Sequence, residues 1–117
     1  MNLTLPCVDD RGNSLILSTD EISCIELHKK KILVFTSGGI FTSRLFGSID
    51  TFEEWFERYG LGFERLDSGN LVNMKKIIGK DSENRIAFFD KELQTTISVR
   101  NLSKVAHIKE MKQTPRR

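Results

Sequence analysis

Along most of the chain the apolar positions alternate or fall in short blocks, the spacing of strands rather than helices. Leu3 to Val8 and Leu15-Ile16-Leu17 flank the turn-rich stretch Asp9-Asp10-Arg11-Gly12-Asn13, which predicts an opening hairpin. Ile22, Ile25 and Leu27 mark a second β-rich stretch ending at His28. Lys29-Lys30-Lys31 then leads into Ile32 to Thr36, Ser37-Gly38-Gly39 supplies a tight turn, and Ile40 to Leu45 returns as the next strand. Further on, Arg85 to Phe89 and Thr95 to Val99 flank Asp90-Lys91-Glu92 as another hairpin.

Helical spacing is confined to one segment. Ile49, Phe52, Trp55, Phe56 and Tyr59 recur at three and four residues and share a stripe, with Trp55 and its aromatic neighbours read as core. Asp50 with Glu53, or Thr51 with Glu54, would form a capping box, and Gly60 is placed to end the helix. A shorter helix starts near Asn101, where Leu102, Val105 and Ile108 share a face. The polar stretch 109–117 is expected to fray. The expected fold is mainly β: short antiparallel sheets with one helix near 50–59 and a short C-terminal helix.

The length of 117 residues fits one domain. With 38% hydrophobic and 29% charged residues, the composition is that of an ordinary globular chain, which excludes a disordered tail protein and a collagen-like one. No apolar run approaches the roughly 20 residues that span a bilayer, and Met1 to Val8 lacks the features of a signal peptide, so a cytoplasmic location is expected. Cys7 and Cys24 are too few for a disulfide framework and are expected as free thiols. The net charge of +2 is unevenly spread. Residues 1–67 hold seven basic and eleven acidic side chains, whereas residues 68–117 hold eleven and five, and a basic half of this kind hints at a polyanionic partner.

Catalysis finds no support. His28 and His107 stand far apart, no Cys/His cluster has metal-ligand spacing, and Gly38-Gly39 lacks the Lys-Ser/Thr of a phosphate loop. Glu53, Glu54 and Glu57 read as a solvated helix face. No enzyme, metal or cofactor is expected. Three basic or donor-rich features remain, each with a plain structural reading beside the functional one. Lys29-Lys30-Lys31 sits at a hairpin tip, and either solubilises a turn or meets a polyanion. Arg100 and Asn101 follow the end of a strand, where an arginine fork either pairs with a surface acid or grips a guanine edge. Ser68-Gly69-Asn70 is either a plain turn or one that exposes hydroxyl, N–H and amide donors suited to phosphate.

At this last segment the sequence resembles the LytTR-type DNA-binding domain of bacterial transcription (response) regulators. That family carries a central stretch of the form Phe-x-Arg-x-His-Arg/Asn-Ser-x-x-Val-Asn, and Phe63, Arg65, Val72 and Asn73 fall at its spacing. Ile97-Ser98-Val99-Arg100-Asn101-Leu102 resembles the closing element, and Asp20-Glu21-Ile22-Ser23-Cys24-Ile25-Glu26 resembles the first strand. The likeness runs over residues 20–108. It implies an elongated β-β-β sandwich of short antiparallel sheets within a single domain over 1–117, with its core at about 20–108. It also implies a transcription regulator that reads successive major grooves of double-stranded DNA with loops. By position, the contacts would come from Lys29, Lys30 and Lys31, from Ser68 and Gly69, and from Arg100 and Asn101, with Lys104 approaching phosphates. Arg100 and the lysine loop would read bases while Ser68, Asn101 and Lys104 hold the backbone.

The chain departs from the family at Asp67-Ser68-Gly69, where His, Arg or Asn, and Ser are usual; Asp67 brings a carboxylate toward the phosphates, and Lys75 and Lys76 are the nearby basic residues that would offset it. This departure motivates the alternative of a protein-interaction module on the same scaffold. No receiver domain fits before Asp20, so a stand-alone regulator or a fragment is expected. A regulatory partner protein and a dimer on DNA stay open as further partners, and no small-molecule substrate is expected.

Overall fold

Ten β-strands, one α-helix and three short 3-10 helices make up residues 2–111, the part of the chain that this computed structural model describes. The strands are β1 (Thr4–Val8), β2 (Ser14–Ser18), β3 (Ile22–His28), β4 (Lys31–Thr36), β5 (Gly39–Ser43), β6 (Phe63–Glu64), β7 (Asn70–Asn73), β8 (Gly79–Asp81), β9 (Ile86–Phe88) and β10 (Gln94–Thr96). Helix α1 (Ile49–Arg58) lies between β5 and β6. The 3-10 turns are Thr19–Glu21, Met74–Lys76 and Val99–Val105; the last stands where the short C-terminal helix is expected but begins at Val99, so the strand expected over Thr95 to Val99 ends at Thr96.

A seven-stranded antiparallel sheet runs in the order β2-β1-β5-β4-β3-β7-β6, and a three-stranded one in the order β10-β9-β8. Both faces of the central strands are buried, which is why their sequences run apolar without alternating. Ile25, Ile32, Val34 and Leu71 face α1 and pack with Ile49, Phe52 and Phe56. Their neighbours Cys24, Phe35 and Val72 face the other way and pack with Ala87, Phe89 and Ile97 of the small sheet's hairpin. The outcome is two cores divided by one sheet. The principal extents are 36 × 36 × 26 Å, those of a slab with two equal long axes.

Local chemistry explains the element ends. Asp9 closes the first hairpin, its carboxylate accepting from the N–H groups of Arg11 and Asn13, and these bonds hold its pKa below the ordinary carboxylate value, with Asn13 the larger cause. Helix α1 is capped by Ser48, which accepts from the Thr51 N–H at 3.1 Å, in place of the expected Asp50 or Thr51 boxes. Gly60 ends the helix as expected, in the left-handed region at φ 62°, with its N–H on the Glu57 carbonyl. Phe56 is buried and meets Phe63 edge to face at 4.9 Å, whereas Tyr59, expected on the buried stripe, is the C-cap and is exposed. Cys7 and Cys24 are free and buried; burial raises Cys7 to about 11 and pushes Cys24 further up.

The expected core boundaries widen at both ends. Leu5, Cys7 and Leu17 of the opening hairpin are buried in the α1-side core, so residues before Asp20 belong to the same body. At the other end, residues 109–111 do not fray: the Lys80 N–H donates to the Lys109 carbonyl at 2.9 Å, and the Met111 N–H donates to the Lys80 carbonyl at 2.6 Å. Glu110 adds bonds to Ser82, which lower its pKa. Residues 112–117 of the expected tail lie outside the described residues. Met111 lies directly over Gly79, in the space a β-carbon there would take. Gly79→Ala is therefore expected to push the Met111 side chain aside, loosening the bonds of residues 109–111 to β8, and to cost about 1 kcal/mol. Hydrogen exchange would report it as faster exchange at Lys80 and Met111. No helix among the described residues is long and apolar enough to cross a membrane.

Candidate nucleic-acid interface

The hairpin joining β3 to β4 pairs His28 with Lys31, leaving a two-residue tip of Lys29 and Lys30. Both tip residues occupy the left-handed region, at φ 47° and 71°. Two such turns in succession match the twist of a tight hairpin, where Asn-Gly is the unstrained choice. Holding two lysines there costs on the order of 1 kcal/mol or more each. Lys31 opens β4 and is exposed as well. Below the tip, Glu26 ties the hairpin to its surroundings. One carboxylate oxygen meets His28 Nε2 at 2.7 Å, and the other accepts from the Thr95 hydroxyl at 2.6 Å.

The turn at 67–69 lies against this hairpin. The Leu27 N–H donates to the Gly69 carbonyl at 2.9 Å, extending the β3–β7 ladder to the base of the lysine tip. Asn70 holds the turn together and is only 2% exposed. Its Oδ1 accepts from the N–H groups of Leu66 and Asp67, at 3.1 and 2.8 Å. Its Nδ2 donates to Thr95 Oγ1 and to the Thr96 carbonyl, at 2.8 and 2.9 Å. The expectation of an exposed Asn70 amide is thus corrected: its Oδ1 holds the turn and its Nδ2 binds β7 to β10.

The segment 65–68 also faces the last 3-10 turn. The Ser98 N–H and Asn101 Nδ2 both donate to the Leu66 carbonyl, at 2.7 and 3.1 Å, and Lys104 Nζ donates to the Arg65 carbonyl at 3.0 Å. Between the two segments opens a cleft of about 530 Å³, lined by Glu53, Arg65, Asp67, Ser68, Ser98, Arg100, Asn101 and Lys104. Four of the eight positions implied by the family resemblance therefore meet in one cleft. Gly69 adjoins it in the chain, and the three lysines crown the neighbouring hairpin.

Charges in the cleft are mixed. Arg65 bridges the walls, pairing with Asp50 and, at 3.5 Å, with Glu53 of α1 while donating to the Ser68 carbonyl at 2.6 Å. Glu53, on the solvated helix face, is thus half-exposed and paired across the cleft, while Glu54 and Glu57 stay exposed. Asp67 is restrained: it accepts from the Thr96 hydroxyl at 2.5 Å and from the Ser68 N–H at 2.8 Å. Asn101 donates its remaining amide proton to Ser98 Oγ at 2.8 Å, so neither amide proton is free for a ligand. Arg100 is exposed and has no partner among the described residues. Lys75 and Lys76 are at the opposite end of β7, with Lys75 beside Thr19, Asp20 and Asn73, and so do not offset Asp67.

This arrangement has a counterpart among solved structures. The LytTr DNA-binding domain of a Bacillus cereus protein described as a methyl-accepting/DNA response regulator superimposes with a TM-score of 0.68, over 91% of this chain and 94% of that one, at 16% sequence identity. The fold is the LytTr fold. No family model and no curated protein matches the sequence. In this LytTr-fold chain the similarity is carried by backbone topology, at 16% sequence identity overall. Arg65, Ser98 and Thr96 play parts in the cleft that the spacing of apolar residues did not signal. The nearest sequence cue is the Asp50/Glu53 pair, which shares a helix face one turn apart and awaits a cation.

Proposed function

We propose that this domain binds double-stranded DNA in a sequence-specific way, as the DNA-reading part of a bacterial transcription regulator. The observation that carries the reading is the convergence of Ser68, Arg100 and Lys104 on one cleft beside a lysine-tipped hairpin. The strain at Lys29 and Lys30 supports it, because a merely solubilising turn would not need lysines in left-handed conformations. The likeness in fold to the solved LytTr DNA-binding domain supports it independently. In this reading the lysine tip and Arg100 enter major grooves and read base edges. Ser68 and Lys104 contact phosphates. Asn101 and Gly69 shape the loops from within, the first through its amide and the second through its carbonyl.

A second reading is favoured by one feature, the carboxylates Glu53 and Asp67 lining the same cleft. They would repel phosphate and suit a basic partner protein. Salt titration of binding to random duplex DNA separates the two. Five cations at about 0.9 each in the logarithmic slope set a ceiling near −4.5 for Lys29, Lys30, Lys31, Arg100 and Lys104 together. A slope of about −2 to −4.5 is the expected result. No measurable binding at low salt would transfer the cleft to the protein partner. Selection from a random duplex pool would then supply the operator.

A further inference from the structure

The large sheet ends at two edges, and the chain treats them differently. On one side β6 is only two residues long and carries Glu64. On the other, β2 is five residues, Ser-Leu-Ile-Leu-Ser, with no charge, no proline and an isoleucine 68% exposed at its centre. In the small sheet, β8 is covered by residues 109–111, and β10 is tied to Asn70. Sheet edges without a charge or a cover invite another strand.

The open side of β2 can be read from its partner. Ile16 pairs with Pro6, which has no N–H, and the Pro6 carbonyl accepts from Arg44 on the β5 side at 2.8 Å. Pro6 therefore makes no ladder bond to β2, and Ile16 belongs to a non-hydrogen-bonded pair. Its N–H and carbonyl point away from β1, toward the open edge, as do those of Ser14 and Ser18. The Ser18 N–H is met there by the Glu21 carboxylate at 3.0 Å.

The charges beside this edge have opposite signs at its two ends. Arg44 reaches over β1, its guanidinium donating to Ser14 Oγ at 2.7 Å. At the other end the Asp20 carboxylate accepts from the Ser18 hydroxyl. Ser14, Ile16 and Ser18 share one face of the strand, so Arg44 and Asp20 lie on the same side, four residues apart along β2.

We infer that β2 is a docking edge for a second copy of this chain, paired antiparallel about a two-fold axis through Ile16. In that register Ile16 exchanges both backbone bonds with its own copy, and the two isoleucine side chains meet. Ser14 stands opposite Ser18 of the partner, which brings Arg44 against Asp20 twice by symmetry. The strand is thus self-complementary at the Ile16 backbone groups, in apolar contact and in charge, as a two-fold interface requires, while Glu21 keeps the Ser18 N–H at each end. Two seven-stranded sheets become one continuous sheet, with both proposed DNA faces left free.

Sedimentation velocity on the full chain without DNA, over a wide concentration series, tests this independently of the DNA reading. The mass is expected to rise from 13.4 kDa toward twice that value. Ile16→Lys, at an exposed position, places two lysines face to face and is expected to weaken the dimer by roughly tenfold or more. Arg44→Asp is expected to do the same, and Arg44→Asp with Asp20→Arg to restore association. Circular dichroism confirms that each variant is folded, and the double variant keeps the test decisive if one single variant is not. A wild-type mass that stays at the monomer value overturns the proposal, as does a dimer indifferent to both Ile16→Lys and Arg44→Asp.

Discussion

Asn70→Ala is expected to destabilise the domain by about 3–5 kcal/mol, and to do so by loosening the turn on which the cleft depends. The wild-type amide makes four hydrogen bonds from a buried position. Removing it strands the Leu66 and Asp67 N–H groups, and each buried polar group without a partner costs about 1–3 kcal/mol. Thr95 keeps its bond to Glu26, so part of the strand junction survives and the loss stays short of complete unfolding. Urea denaturation gives the number. Because Ser68 and Asp67 lose their anchor, duplex affinity should fall together with stability. A loss below about 1 kcal/mol would show that the turn is held by its backbone bonds and Arg65 alone.

Arg100→Ala is expected to behave in the opposite way. The side chain is exposed and has no partner among the described residues, so stability should change by no more than about 0.5 kcal/mol. Affinity for the selected operator should drop by about 1–3 kcal/mol, the worth of a bidentate base contact. Arg100→Lys sharpens the test. It keeps the charge but loses the planar fork, so binding to random duplex should persist while discrimination between operator and random sequence declines. If Arg100→Ala binds its operator as tightly and selectively as the parent, base reading by this arginine is wrong. Electrophoretic mobility shifts on the two duplexes supply the comparison.

The cleft and the lysine tip were legible in the chain to different degrees. Lys29-Lys30 could be placed at a hairpin tip because apolar runs on both sides bound the turn. The segment around Ser68 could be singled out by its turn-forming residues. Its inner workings could not, because a buried Asn70 and an exposed one have the same local sequence. Asp67 shows the same gap. In sequence it is a carboxylate near a phosphate site; folded, it is restrained by Thr96, 29 residues away. Arg65 bridges to α1 across 15 residues, and nothing in its immediate surroundings announces Asp50 as its partner.

By itself the amino-acid sequence determined the β-rich character and the outer hairpins, the single amphipathic helix with its Gly60 stop, the lysine hairpin and the mixed charge, but not the strands Phe63–Glu64, Asn70–Asn73 and Gly79–Asp81. What it determined follows from short-range rules of turn chemistry and side-chain period. The tertiary structure alone decided that one sheet divides two cores, that residues 109–111 close over Gly79, that Lys75 and Lys76 sit away from the cleft, and that β2 is an open edge. Each of these depends on which strands become neighbours, and that choice is set by the summed burial of both sheet faces, a quantity no local window of residues contains.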